Sequence, residues 1–248
     1  NGQTAAIDDP IPLPTGETVT LLSDGTIRLD ADSDSDDVNF TYTIENSNLQ
    51  TDTGIVNINT IPCFVSGTLI ATEAGERLID RLRVGDLVQT RDRGLQPIRW
   101  IGHRQVEADG ALAPVRIRQG ALGNHRTLLV SPNHRVALRD ARVEMLFGED
   151  EVLVAAKHLV DGDKVQSLPS HAVTYVHLLF DQHEVIYSDG LPTESFLPGP
   201  QAVDIFEQET LDEIYALFPE ICHETGDGYG RAARVILKAH EAAVLTAA

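Results

Sequence analysis

Beyond residue 63 the chain is broken into short apolar segments by turn residues. This spacing constrains its fold more than any other feature. Segments 68–72, 87–90, 98–102, 115–118, 128–130, 135–138, 152–155, 164–168, 173–180 and 184–188 are rich in Val, Ile, Leu and Thr. They follow one another at roughly 8–15 residues, with Gly75, Gly85-Asp86, Arg93-Gly94 and Asp189-Gly190 between them. Intervals this short leave no room for crossover helices, so the spacing predicts an all-β fold. Within this stretch only 78–82 reads as a helical turn. Two amphipathic helices are expected in the tail, at 203–218 before Pro219 and at 231–245 after Gly228-Tyr229-Gly230. Hydrophobic residues make up 42% of the chain, enough for a packed core. No apolar run reaches the roughly 18 residues of a membrane span.

Charge divides the chain at one place. The net charge is −19, which disfavours nucleic acid or an anionic membrane as partner. Residues 1–62 hold eleven acids and only Arg28 as a base, a net −10; the other 186 residues carry −9. The composition breaks at Pro62-Cys63, giving expected domains of 1–62, 63–198 and 199–248. The first domain reads as β, with a hairpin of 19–22 and 26–29 around Ser23-Asp24-Gly25 and alternating segments at 40–44 and 55–59. Pro10, Pro12 and Pro14 make its start an extended linker. This is a small, β-sandwich-like segment, short for a full sandwich. Residues 15–60 resemble the cadherin-like or Ig-like repeats of large bacterial adhesins, which implies an extracellular or cell-surface location. The chain starts at Asn1 without a basic-then-apolar leader and is expected to be a mature or excised fragment.

Between the first strands, Asp30, Asp32, Asp34 and Asp36 alternate, a carboxylate pattern that suits Ca2+. An EF-hand loop counted from Asp30 would place Ser35 where Gly is needed and Thr41 where Glu is needed, so that motif fails. A solvated acidic loop is the competing reading. No other cofactor is expected. The two cysteines, Cys63 and Cys222, exclude a disulfide scaffold and a four-cysteine zinc site, and Cys222-His223 lacks further ligands.

Cys63 stands at the compositional break. A cysteine thiol reaches the preceding carbonyl through a five-membered ring. Attack on the Pro62 carbonyl converts the Pro62–Cys63 amide to a thioester, an N-to-S acyl shift favoured by proximity. The step needs loss of amide resonance, a proton for the leaving nitrogen, donors for the oxyanion and a base for the thiol. Taken alone, Cys63 is more simply a small buried hydrophobe.

Four stretches in order change that balance: Cys63-Phe64-Val65-Ser66-Gly67-Thr68-Leu69-Ile70, Val84-Gly85-Asp86-Leu87-Val88, Ser131-Pro132-Asn133-His134-Arg135-Val136 and 173–190. Together they resemble the Hint superfamily, the autoprocessing modules of Hedgehog proteins and inteins, over residues 63–198. The bacterial Hedgehog/intein type is the nearest pattern. The resemblance implies a horseshoe of short strands and a self-processing activity with the chain's own N-terminal part as substrate. It implies Cys63 as nucleophile and His134 as proton donor to the leaving nitrogen. Ser131 stands where Thr is usual and keeps a hydroxyl. His103 lies near the acid-base Asp of Hedgehog-type members, and His177 near the late Asp of inteins. His177 or Asp181 is then expected to tune the thiol. His125, His158, His171 and His183 read as surface or core residues, and Trp100 reads as core.

Two departures qualify the activity. Inteins end in Asn before a nucleophile, whereas Glu194 precedes Ser195 here, so splicing is not expected. Pro62 restricts how the scissile carbonyl bends toward sulfur. The sequence reading is therefore thioester formation at Pro62–Cys63, resolved by water or an external amine or thiol, giving cleavage or ligation. An inactive Hint-fold structural or interaction module of a secreted adhesin is the alternative. A Cys-His hydrolase with an open cleft is a third.

Overall fold

The computed structural model describes residues 6–12, 18–30, 37–45, 51–59, 61–198, 208–222 and 228–246. The chain forms two compact units, 1–60 and 61–248. In the first unit, β1 (Pro10–Pro12), β2 (Thr18–Leu21) and β3 (Ile27–Asp30) make a three-stranded sheet. The Asp-Gly turn between β2 and β3 is built as its residues require. Asp24 Oδ1 accepts from Thr26 N (2.9 Å) and Thr26 Oγ1 (2.6 Å), and Gly25 takes φ +85°. β4 (Asp37–Glu45) and β5 (Thr51–Asn59) pair antiparallel over nine positions. Of the calcium candidates, Asp32, Asp34 and Asp36 lie outside the described residues, and Asp30 ends β3.

The second unit holds two sheets. Its strands are β6 (Phe64–Val65), β7 (Leu69–Thr72), β8 (Gly75–Leu78), β9 (Leu87–Thr90), β10 (Gly94–Pro97), β11 (Trp100–Ala108), β12 (Val115–Ile117), β13 (Leu128–Val130), β14 (Arg135–Leu138), β15 (Val152–Ala155), β16 (Val165–Ser167), β17 (Ser170–Leu179), β18 (Val185–Ser188), β19 (Leu191–Glu194) and β20 (Val235–Ile236). One sheet runs β10-β9-β7-β18-β19-β14-β15-β20, with β8 on β7; the other runs β11-β17-β6-β13-β12-β16. The predominance of β matches the all-β reading, and residues 79–81 form the expected helical turn, a 3-10 one.

Period-two alternation sorts β17 between two cores. Val176, Leu178 and Phe180 enter the main core with Phe64, Ile70, Val88, Ile98, Val130 and Ile186. Val173, Tyr175 and Leu179 face a second core with Cys63, Trp100 and Phe196. The site is built on this second face.

The helices differ from the sequence reading. Helix α1 (Ala141–Phe147) was not anticipated; Asp140 caps it by accepting from Arg142 N at 2.6 Å, and Gly148 ends it at φ +68°. Helix α2 (Gln208–Leu217) falls within the expected 203–218. The expected helix 231–245 is corrected to a strand followed by a shorter helix, α3 (Ala239–Thr246). Val235 and Ile236 are β-branched and pair with Val152 and Leu153 in parallel, and Leu237 N–H donates to Leu153 O at 2.9 Å. The helix starts only where Glu241 Oε2 accepts from Lys238 N at 2.8 Å. Among the described residues no helix is long and apolar enough to cross a membrane.

Candidate active site

β6 lies between β17 and β13, and its register assembles the site. Phe64 pairs with both Val130 and Val176. One step toward the N-terminus, Cys63 is therefore flanked by Ser131 on one side and His177 on the other. Gly102 of β11 pairs with His177 and continues the row. Four residues far apart in sequence thus occupy one row on one face of the sheet.

The contacts within the row converge on one peptide bond. Cys63 N–H donates to Ser131 Oγ at 2.9 Å, Ser131 Oγ donates to Ile61 O at 3.1 Å, and Ser131 N–H donates to Cys63 O at 3.0 Å. Cys63 Sγ lies 3.0 Å from Ile61 O and 3.4 Å from His177 Nε2. His177 Nδ1 lies 3.0 Å from Pro62 O. A carbonyl oxygen cannot donate, so this contact places the ring proton on Nδ1 and leaves a lone pair on Nε2 facing sulfur. One imidazole therefore contacts the Pro62 carbonyl with one nitrogen and the Cys63 thiol with the other.

Burial sets the resting charges. Cys63 is 5% exposed, and burial pushes its thiol well above the ordinary range, the Ser131 hydroxyl partly opposing. Burial lowers His177 to about 3, with the bond to Pro62 working against it. Both groups are neutral near pH 7. The aromatic rings of Trp100 (centroids 6.4 Å apart, stacked) and Phe196 (5.5 Å, edge-on) pack on His177.

His134 follows the tight turn 131–134, where its N–H donates to Ser131 O at 3.1 Å. Its ring meets Phe64 edge-on at 4.4 Å and is 1% exposed. Among the described residues neither ring nitrogen has a hydrogen-bond partner. Burial lowers it to about 4, while the Glu194 charge pulls upward. Glu194 is fully buried. Its Oε1 accepts from Arg135 N (2.8 Å), its Oε2 accepts from the Arg135 guanidinium (2.9 Å), and His183 Nε2 lies 3.2 Å from Oε2. Burial alone would raise this carboxyl, but Arg135 and His183 bring it down to about 2. The sequence reading found Glu194 only as a missing Asn; its pairing was not legible there.

Two candidates stand apart from the site. His103 pairs with Val176, which puts it on the opposite face from Cys63, and it is exposed. Asp181 makes a bidentate pair with Arg99, both bonds 2.7 Å, and lies at the surface. The thiol is faced by His177, not by Asp181. Among the described residues no group of three or more His, Cys, Asp or Glu is placed to hold a metal.

Residues 62–200, more than half of the chain, match the family model of the Hint domain. The chain belongs to the Hint domain family. Solved structures similar to this Hint chain include three intein-type proteins. The bacterial intein-like domain from Clostridium thermocellum is 14% identical, covering 56% of this chain and 100% of its own, with TM-score 0.36. The gp41-1 intein is 12% identical, covering 54% and 98%, with TM-score 0.35. A variant of the Ssp DnaB mini-intein is 10% identical, covering 56% and 98%, with TM-score 0.37. No curated protein matches the Hint chain.

Proposed function

We propose that the Hint unit processes its own chain by an N-to-S acyl shift at Pro62–Cys63. The observation that carries this reading is the double contact of His177, 3.0 Å to Pro62 O and 3.4 Å to Cys63 Sγ. In the resting state His177 donates from Nδ1 to the carbonyl. Nε2 then takes the thiol proton, and the new imidazolium strengthens the Nδ1–H bond to the oxygen that gains charge. Sulfur attacks the Pro62 carbonyl carbon, forming a C–S bond. The carbonyl re-forms as the C–N bond to Cys63 breaks, and the nitrogen leaves with a proton. The thiol proton ends on that amine, so the shift is balanced without a co-reactant.

Ser131 holds the Cys63 N–H, and its second bond to Ile61 O fixes the chain entering the site. His134, with no hydrogen-bond partner for either ring nitrogen among the described residues, has both an acceptor and a donor nitrogen and can relay the thiol proton from His177 to the leaving nitrogen, returning to its neutral form. Water, an amine or a thiol then attacks the thioester carbonyl and releases the Cys63 thiolate. The acidic segment 1–62 is the passenger, and its adhesin-like pattern favours an extracellular setting. A second reading rests on one contact: the thiol donates to Ile61 O at 3.0 Å, which holds sulfur protonated in a silent Hint fold.

The test is incubation of the purified chain with and without dithiothreitol, followed by mass spectrometry for fragments 1–62 and 63–248. Thiol-dependent fragments that vanish in Cys63→Ala support the shift. An intact chain under every condition rejects it in favour of the silent fold.

A further inference from the structure

Helix α2 lies outside the residues matched to the Hint domain, yet it packs directly on the processing site. Leu211, Ile214, Tyr215 and Phe218 share one buried cluster with Cys63 and Trp100. A polar contact crosses this boundary: Trp100 Nε1–H donates to Glu213 Oε2 at 3.1 Å. The indole in turn lies at 26° to the His177 ring. Gly102 makes room for it, since a Cβ there would stand 2.1 Å from Cη2 of the indole. Glu213 itself is exposed, so only its carboxylate reaches inward.

We propose that α2 completes the site: Glu213 fixes Trp100, Trp100 holds the His177 ring in its bridging orientation, and the apolar face of the helix keeps water from Cys63. This rests on the acyl-shift reading. His177 must point Nδ1 at Pro62 O and Nε2 at sulfur together, and any rotation of the ring weakens both contacts. An indole has a single N–H, so anchoring that group sets the rotation of the whole plane. Glu213 touches no reacting atom and is a positioning residue.

The experiment compares Glu213→Ala and Glu213→Gln in the full chain. The first readout is alkylation of Cys63 by a small maleimide, with exposed Cys222 as internal reference. The second is dithiothreitol-dependent fragment formation. The third is emission of Trp100, the one tryptophan of the chain. Removing a hydrogen bond of about 1 kcal/mol should speed Cys63 alkylation about fivefold and slow fragment formation about fivefold in Glu213→Ala. The emission should shift to the red. Glu213→Gln retains an acceptor and should stay within about twofold of the parent chain in both rates. Alkylation and emission unchanged in Glu213→Ala, or both variants altered alike, would overturn the proposal. If Cys63→Ala still fragments, the acyl-shift reading fails, while alkylation and emission still decide the role of Glu213.

Discussion

Mild acid should destabilise the Hint unit before most carboxylates titrate, because two imidazoles are buried uncharged. His134 and His177 are each 1% exposed, and burial holds them at about 4 and about 3 against an ordinary 6.5. The unfolded chain binds protons that the folded chain refuses, so stability rises with pH across this window. The contribution is complete above about pH 7, and it is lost as pH falls from about 6.5 toward about 4. At about pH 5 each imidazole should cost about 2 kcal/mol relative to about pH 7.5, or about 4 kcal/mol for the pair. That is a large part of a typical stability of about 5–15 kcal/mol. Glu184 and Asp189, raised by burial, act in the opposite sense at the acid end. Urea unfolding followed by Trp100 emission at several pH values measures the slope. His134→Gln should remove about half of the pH sensitivity. A stability that changes by less than about 1 kcal/mol between pH 7.5 and 5 would refute the assignment of neutral buried rings.

Other outcomes follow from single contacts. Under the proposed acyl shift, His177→Ala removes both the base and the oxyanion donor and should slow fragment formation about 10³-fold or more at pH 7, measured by mass spectrometry. Ser131→Ala leaves Cys63 N–H without its acceptor and removes one of the two donors to Ile61 O, and should cost about 2 kcal/mol in urea unfolding, whereas Ser131→Thr should retain most of it. Arg135→Met leaves the Glu194 carboxylate buried beside His183 and should cost about 3–5 kcal/mol by the same measurement. Calorimetry of the chain with Ca2+ should show binding if Asp30, Asp32, Asp34 and Asp36 form a site; no heat and no thermal shift would leave them a solvated loop.

Local pattern carried the strands, and register carried the site. Turn residues such as Asp24-Gly25 and Gly75 mark chain reversals that sequence shows directly, and apolar segments such as 87–90, 128–130 and 152–155 became strands with those bounds. What sequence does not contain is which strand lies beside which. Cys63, Ser131 and His177 meet because β6 is inserted between β13 and β17, and a shift of one residue would turn His177 to the other core. The same alternation removes His103 from the site, and Arg99, 82 positions away from Asp181, claims that carboxylate. Local signals for α1 were present in Asp140 and Gly148 but were short. The helical pattern at 231–238 lost to pairing of Val235 and Ile236 with β15, a tertiary contact that overrides local periodicity. Trp100 read simply as core; its single N–H, tied to Glu213, is what links it to the tail.

The most direct measurement is mass spectrometry of the full chain after incubation with hydroxylamine, beside Cys63→Ala. An acyl shift predicts residues 1–62 ending in a hydroxamate on Pro62, together with 63–248 carrying a free N-terminal Cys63, and neither product in the variant. An intact chain in both samples would contradict thioester formation at Pro62–Cys63.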